Sequence, residues 1–183
     1  MYNAPLGIDM TYLVVIGGAP GSGKTTITKL LHQHFQSVMI EIGWLRQYHL
    51  DPAWLKASSR EEAMSFENLI FIIRNYFKHN YNYILLNDLE AYRIQQIPSL
   101  FELNQFVIIS LVVSNDEEHK RRILDPDRDS GYRDYTTAMA WNHALIERPL
   151  LANEHKFDNT HVDSEDACRQ IISLIENQQR SNY

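Results

Sequence analysis

The stretch VVIGGAPGSGKTTITKLL, Val14 to Leu31, limits what this chain can fold into more than any other part of it. Its centre reads Gly18-Ala19-Pro20-Gly21-Ser22-Gly23-Lys24-Thr25, which fits G-x-x-x-x-G-K-[ST] at every fixed position. Glycines let the backbone reach positive φ and turn successive N–H groups into a concave nest for phosphate oxygens. Lys24 can reach β- and γ-phosphates as a point charge, and the Thr25 hydroxyl can hold Mg²⁺. A helix that follows aims its positive N-terminal end at the same anion. The expected phosphate-binding set is therefore this octapeptide together with Thr26. A chance match arises in roughly one chain of this length in a hundred or two, and the context makes it rarer. Thr11 to Gly17 is apolar and β-branched, as a buried strand requires, while Ile27, Leu30, Leu31 and His34 recur at helical spacing after the loop.

At 183 residues the chain is long enough for one domain with its own core, and a single domain over 1–183 is expected. The net charge of −6 argues against a protein whose main task is gripping a nucleic-acid backbone. A single cysteine, Cys168, excludes an intrachain disulfide and suits a reducing compartment. No apolar run approaches the ~20 residues that span a bilayer, and Met1 to Met10 lacks the basic and apolar regions of a signal peptide. A cytoplasmic location without membrane attachment is the expectation. Oligomeric state is not legible.

Further strands are expected at Val38 to Ile42, Tyr83 to Leu86, Phe106 to Val113 and Lys156 to Val162. Helices are expected at Ser59 to His79, with Ser59 and Glu62 at capping-box spacing, and at Asn115 to Leu124, Thr136 to Leu151 and Ser164 to Asn177. Pro98 separates a short polar helical segment from the fourth strand, and Asp51-Pro52 marks a turn. Apolar strands alternating with helices indicate an α/β fold whose parallel sheet is covered on both faces. Ligands bind such sheets at the carboxyl ends of the strands. That rule selects the glycine-rich loop, Glu41, Asp88 and Ser114.

Asp88 ends the hydrophobic run before Asn87-Asp88 in the manner of a Walker B carboxylate, and would hold Mg²⁺ beside Thr25; the alternative is a helix cap. Lys120, Arg121, Arg122, Arg128 and Arg133 surround the loop Asp125 to Asp134. Mobile arginines there can neutralise the charge that spreads over a phosphoryl group in transfer, forming a lid at about 125–135. The alternative pairs them with Asp125, Asp127, Asp129 and Asp134. Arg128 and Arg133 are the first candidates and Arg122 the next, with Arg121 or Arg122 also placed to pack over an adenine ring. Glu41 could accept a proton from an acceptor hydroxyl, Arg46 could bind an anionic part of that acceptor, and Trp44, Tyr48 and Trp54 could wall its pocket. The histidines show no metal-ligand spacing, and Cys168 lies on an apolar helix stripe.

The order strand, GxxxxGK[ST], helix, strand followed by Arg46, strand ending in Asn87-Asp88, strand, basic lid and final helix resembles the P-loop kinase superfamily. It is most similar to the small nucleoside, nucleotide and antibiotic kinases, and also to AAA-type ATP-binding domains. The resemblance covers about Tyr12 to Ile175. It implies a three-layer fold with a five-stranded parallel sheet in the order 2-3-1-4-5, ATP with Mg²⁺, and transfer of the γ-phosphoryl group to a small-molecule acceptor. Lys24, Glu41, Asp88, Arg128 and Arg133 would carry the chemistry. Many members have D-x-x-R after the second strand; here Gly43-Trp44-Leu45-Arg46 keeps the arginine, but glycine stands in place of the aspartate. Glu41 is the nearby carboxylate that could substitute. A nucleotide-binding or hydrolysing module without transfer chemistry is the alternative, and a kinase of polynucleotide ends a weaker one.

Overall fold

The computed structural model describes residues 11–46, 48, 58–127 and 130–181. In chain order its elements are β1 (Tyr12–Gly18), α1 (Lys24–Phe35), β2 (Val38–Glu41), α2 (Ile42–Arg46), α3 (Ser59–Lys78) and β3 (Tyr83–Asn87). Then follow α4 (Ala91–Ile94), α5 (Ile97–Leu100), a 3₁₀ turn (Leu103–Gln105), β4 (Phe106–Val112), α6 (Asp116–Leu124), α7 (Tyr135–Glu147), β5 (Glu154–Asp158) and α8 (Ser164–Ser181).

Every strand pair is parallel, and the order across the sheet is β2-β3-β1-β4-β5, as the resemblance implies. β1 lies at the centre with Val14 opposite Leu85 on one side and Val107 on the other. Its residues feed the two faces by turns. Leu13 and Val15 enter a core with Phe66, Leu69 and Ile73 of α3, while Val14 and Ile16 enter another with Ile27 and Leu31 of α1 and Ile171 and Ile175 of α8. Each such aliphatic burial contributes about 1.5–3 kcal/mol. Helices on both faces of a parallel sheet leave only the strand ends open to ligands.

The helix ends are set by local chemistry. Ser58 and Glu61 form the capping box of α3, one residue before the expected pair of Ser59 and Glu62. Asn115 caps α6, whose first turn carries Asp116, Glu117 and Glu118 and whose last carries Arg121 and Arg122, in line with the macrodipole. Asp134 caps α7 by accepting from Thr137 N.

Several boundaries differ from expectation. β2 stops at Glu41 because Ile42 already begins α2. α7 stops at Glu147 because Pro149 holds Arg148 in extended backbone, φ −64° and ψ 151°. β5 runs two residues ahead of the expected Lys156 start, since Glu154 is buried against Arg148 and Ser110 rather than solvated. His34 is exposed, and Phe35 takes the inner face instead, stacked on Tyr83 with ring centroids 4.1 Å apart. The lead-in at Met1 to Met10, the Asp51-Pro52 turn and Trp54 lie outside the described residues.

Candidate functional site

β1 delivers the chain to the carboxyl edge of the sheet at Gly18, and the loop from there to Gly23 has the backbone that a phosphate nest needs. Gly18 sits at φ +142°, where a Cβ would stand 2.6 Å from Leu111 O. Gly23 sits at φ +95°, where a Cβ would meet Asn159 Nδ2 at 2.6 Å. Neither position admits a side chain. Lys24 opens α1 and turns back over the loop, with Nζ donating to Gly18 O at 2.9 Å and to Ala19 O at 3.2 Å. Its charge is thus held over the concavity before any phosphate arrives. Thr25 and Thr26, in the first turn of α1, are exposed there.

Two side chains from distant elements brace the loop. Asn159, just past β5, donates from Nδ2 to Ser22 O at 2.9 Å. His119 of α6 is fully buried, and its Nε2 lies 2.7 Å from Pro20 O. A carbonyl only accepts, so Nε2 carries the proton and donates. Burial lowers the His119 pKa, and the Pro20 bond and Asp116 oppose that while Arg122 and His143 reinforce it. The ring is neutral at pH 7. Neither residue stands out in the sequence.

The loop opens onto a cleft of about 500 Å³ between the start of α1, the end of α6 and the β5–α8 turn. Arg122, Asp125, Asn159 and Val162 line it opposite Lys24 and Thr26. Arg122 donates from Nε to Glu118 at 2.7 Å and from its terminal nitrogen to Thr160 O at 2.6 Å, so its position is fixed. Hydrogen bonds from Arg121 and Arg122 lower the Glu118 carboxyl to about 2. Arg133 does not line the cleft itself but bonds Ser130, which does. It is exposed and donates to Ser130 O and Tyr132 O of its own loop. Arg128 lies outside the described residues, and of the two described lid arginines Arg122 lines the cleft. Ser114, also selected at a strand end, is engaged within the fold: its N–H and hydroxyl meet Thr160 Oγ1 at 2.7 and 3.1 Å.

On the other side of the loop, Glu41, Asn87 and Ile16 share one level across β2, β3 and β1. Glu41 is half-buried. β3 ends at Asn87, which is 2% exposed and has no partner for Oδ1 among the described residues. Asp88 follows at φ +61°, a left-handed conformation that aspartate tolerates better than most residues, and its side chain is exposed. Glu90 rather than Asp88 occupies the N-cap of α4, which removes the alternative role for Asp88. Trp44 is exposed, and so is Tyr48 at 87%. The Arg46 side chain lies outside the described part of the structure. Among the described residues a Cβ on Gly43 would meet nothing within 4 Å. Among the described residues no group of three or more His, Cys, Asp or Glu could hold a metal ion by itself.

No protein-family model matches the sequence, and no curated protein matches it either. Solved structures do match. A sugar kinase from Janibacter sp. HTCC2649 aligns with a TM-score of 0.66 at 14% identity over 93% of this chain and 97% of that one. A gluconokinase from Sinorhizobium meliloti gives 0.64 at 9% identity over 93% and 94% of the two chains. The fold is that of a P-loop kinase. An APS kinase from Mycobacterium tuberculosis, solved with AMPPNP and APS, gives 0.61 at 16% identity over 92% of this chain and 99% of that one. Within a P-loop kinase fold the cleft beside Arg122 and the strand ends at Glu41 and Asp88 lie on opposite sides of the glycine-rich loop. No helix among the described residues is long and apolar enough to cross a membrane.

Proposed function

We propose that the protein is an ATP-dependent phosphotransferase that moves the γ-phosphoryl group to a small-molecule acceptor. The observation that carries this reading is the loop itself: a backbone nest without room for side chains, with Lys24 Nζ held across it by two carbonyls. In the proposed assignment the loop's free N–H groups bind phosphate oxygens, Pro20 having none and Ser22 donating its own to Ala19 O, and Lys24 exchanges its carbonyl partners for them. The cleft beside Arg122 takes the nucleoside, which leaves the Glu41 and Asp88 side for the acceptor. Solved neighbours named as sugar, gluconate, APS and shikimate kinases support a small acceptor.

Thr25 and Asp88 are the residues that would hold Mg²⁺, which when bound supplies charge neutralisation at the phosphates. The donors fit that ion, since a hydroxyl and one carboxylate suffice where phosphate oxygens and waters complete the octahedron. Glu41 or Asp88 would take the proton of the acceptor hydroxyl. Arg122, Arg128 and Arg133 are assigned to the transition-state charge, with Arg133 leaving its present partners on closure. The reading takes the chain as one cytoplasmic domain.

Lys24→Ala tests it. Preorganised charge supplies much of the rate enhancement in sites of this kind, and losing one such group costs about 10²- to 10³-fold in rate. ADP release should fall by that amount or more while the thermal transition of the unliganded protein stays in place. An unchanged rate overturns the assignment. The second reading, a nucleotide-binding module without transfer, is favoured by Gly43 standing where related kinases place a carboxylate. No described residue stands within 4 Å of a Cβ at Gly43, so Gly43→Asp meets no steric conflict among the described residues. If it changes activity in neither direction, the argument from Gly43 falls.

A further inference from the structure

Asn87 closes β3 at the carboxyl edge of the sheet. Which face it takes follows from the alternation of the strand. Tyr83 and Leu85 pack in the core that contains Ile27 and Leu31 of α1, whereas Ile84 and Leu86 pack in the core that contains Phe66 and Leu69 of α3. Asn87 therefore belongs to the α1 face, one step beyond Leu85 toward the start of that helix, where Thr25 lies. Asp88 leaves the strand. It stands at φ +61° with its side chain exposed, and Leu89 after it enters the α3 core.

The Asn87 side chain is 2% exposed, and its Oδ1 has no hydrogen-bond partner among the described residues. A buried carbonyl oxygen left unpaired lowers stability, so such groups are rare in folded proteins. Its partners across the sheet are Ile16 of β1, which is apolar, and Glu41 of β2, whose ionised carboxylate only accepts. Neither side chain can donate to Oδ1. Resting on the proposed phosphotransfer, we propose that Asn87 is a third residue toward Mg²⁺, beside Thr25 and Asp88. Its Oδ1 accepts from a water of the ion and so positions the ion on the nucleotide phosphates. Mg²⁺ gives up its waters reluctantly, and a carbonyl oxygen suits their protons. A carboxamide supplies that acceptor without setting a second carboxylate beside Glu41, where two like charges would oppose each other's ionisation. Glu41 stays available for the proton of the acceptor hydroxyl.

The test is calorimetric titration of the full chain with a non-hydrolysable ATP analogue, once with millimolar Mg²⁺ and once with EDTA. Asn87→Leu and Asn87→Ala remove the oxygen, the second serving where leucine does not fit, and Asn87→Asp keeps one. In the wild-type protein Mg²⁺ should tighten binding of the analogue. With Mg²⁺ the leucine and alanine variants should bind about 3- to 10-fold more weakly than wild type, as loss of one hydrogen bond does. In EDTA they should bind as well as wild type. Asn87→Asp should recover the Mg²⁺ effect in full. A purely structural role would weaken binding alike in both conditions.

A loss of the same size in Mg²⁺ and in EDTA, a full Mg²⁺ effect in the leucine and alanine variants, or an aspartate variant as weak as alanine overturns the proposal. In each of those cases Mg²⁺-dependent binding by the wild-type protein keeps the phosphotransferase reading standing. Wild-type binding that Mg²⁺ does not improve overturns the proposal together with the metal assignment it rests on. Absence of binding in either condition overturns the phosphotransferase reading as well.

Discussion

His119 and Arg133 show how far a residue's chemistry depends on what folds against it. Arg133, proposed to meet the transition-state charge, is in this structure an exposed side chain bonded to its own loop. His119 looks like one histidine among eight, and it holds a carbonyl of the phosphate loop. Glutamine places an N–H where His Nε2 lies, so His119→Gln should retain most of the nucleotide-induced rise in Tm. His119→Leu should lower nucleotide affinity about 3- to 10-fold, as loss of one buried hydrogen bond does, and equal affinities in the two variants would remove the bracing role. The same residue gives stability a pH dependence. Because burial lowers its folded value, the unfolded chain takes up the proton first as pH falls, and the folded state loses ground below about 6.5. The wild-type protein should therefore lose more stability than His119→Leu between pH 7 and 5, measured by urea unfolding at each pH. Parallel losses in both would contradict this.

At the scale of elements, β5 holds the edge of the sheet through a charge. Glu154 is buried beneath Arg148, which pairs with both of its oxygens at 2.6 Å, and it accepts from Leu151 N at 2.8 Å and Ser110 Oγ. Burial pushes this carboxyl up, but Arg148, the Leu151 N–H and the Ser110 hydroxyl together hold it below its ordinary value. Removing one partner of such a pair leaves the other uncompensated. Arg148 remains partly solvated, so Glu154→Gln should cost about 2–3 kcal/mol rather than the 3–5 of a fully buried pair, read from the urea midpoint at pH 7. The contribution is present above the ordinary carboxylate range and is lost as pH falls through the depressed value, so the two proteins should converge in strong acid. A substitution without effect would mean that the strand is held by its neighbours alone. This arrangement also explains why the start of β5 is misread from sequence: Glu154 and Lys156 look solvent-facing when considered without their partners. β1, β3 and β4 are legible because apolar runs at the sheet centre need no partner to be recognised, and the glycine-rich loop because its constraints lie within eight residues. The two braces lie 99 and 137 residues from the groups they hold, and no local pattern points to them.

For the whole molecule, the proposed function divides the labour across β1. The Arg122 cleft lies toward β4 and β5, the strand ends at Glu41 and Asp88 toward β2 and β3, and the glycine-rich loop between them. Part of this plan follows from the alternation of strands and helices, and the order itself from the resemblance. Acceptor and nucleotide variants should consequently act separately: Glu41→Gln should lower kcat with the nucleotide KM unchanged, and Asn159→Ala should raise the nucleotide KM, with the loss in kcat/KM of the double variant near the product of the two. Sites this far apart in a sheet combine additively when they share no partner, and a strongly non-additive double variant would show that the loop couples them. The bracing of the loop also has a meaning in time. A ribosome makes the loop before the residues that brace it, so Pro20 waits for His119 and Ser22 for Asn159. A nascent chain that has passed Lys24 therefore has the residues of a phosphate site without its shape. The site is set only when β5 has emerged and joined the edge of the sheet, so nucleotide capture belongs to the finished protein and not to its intermediates.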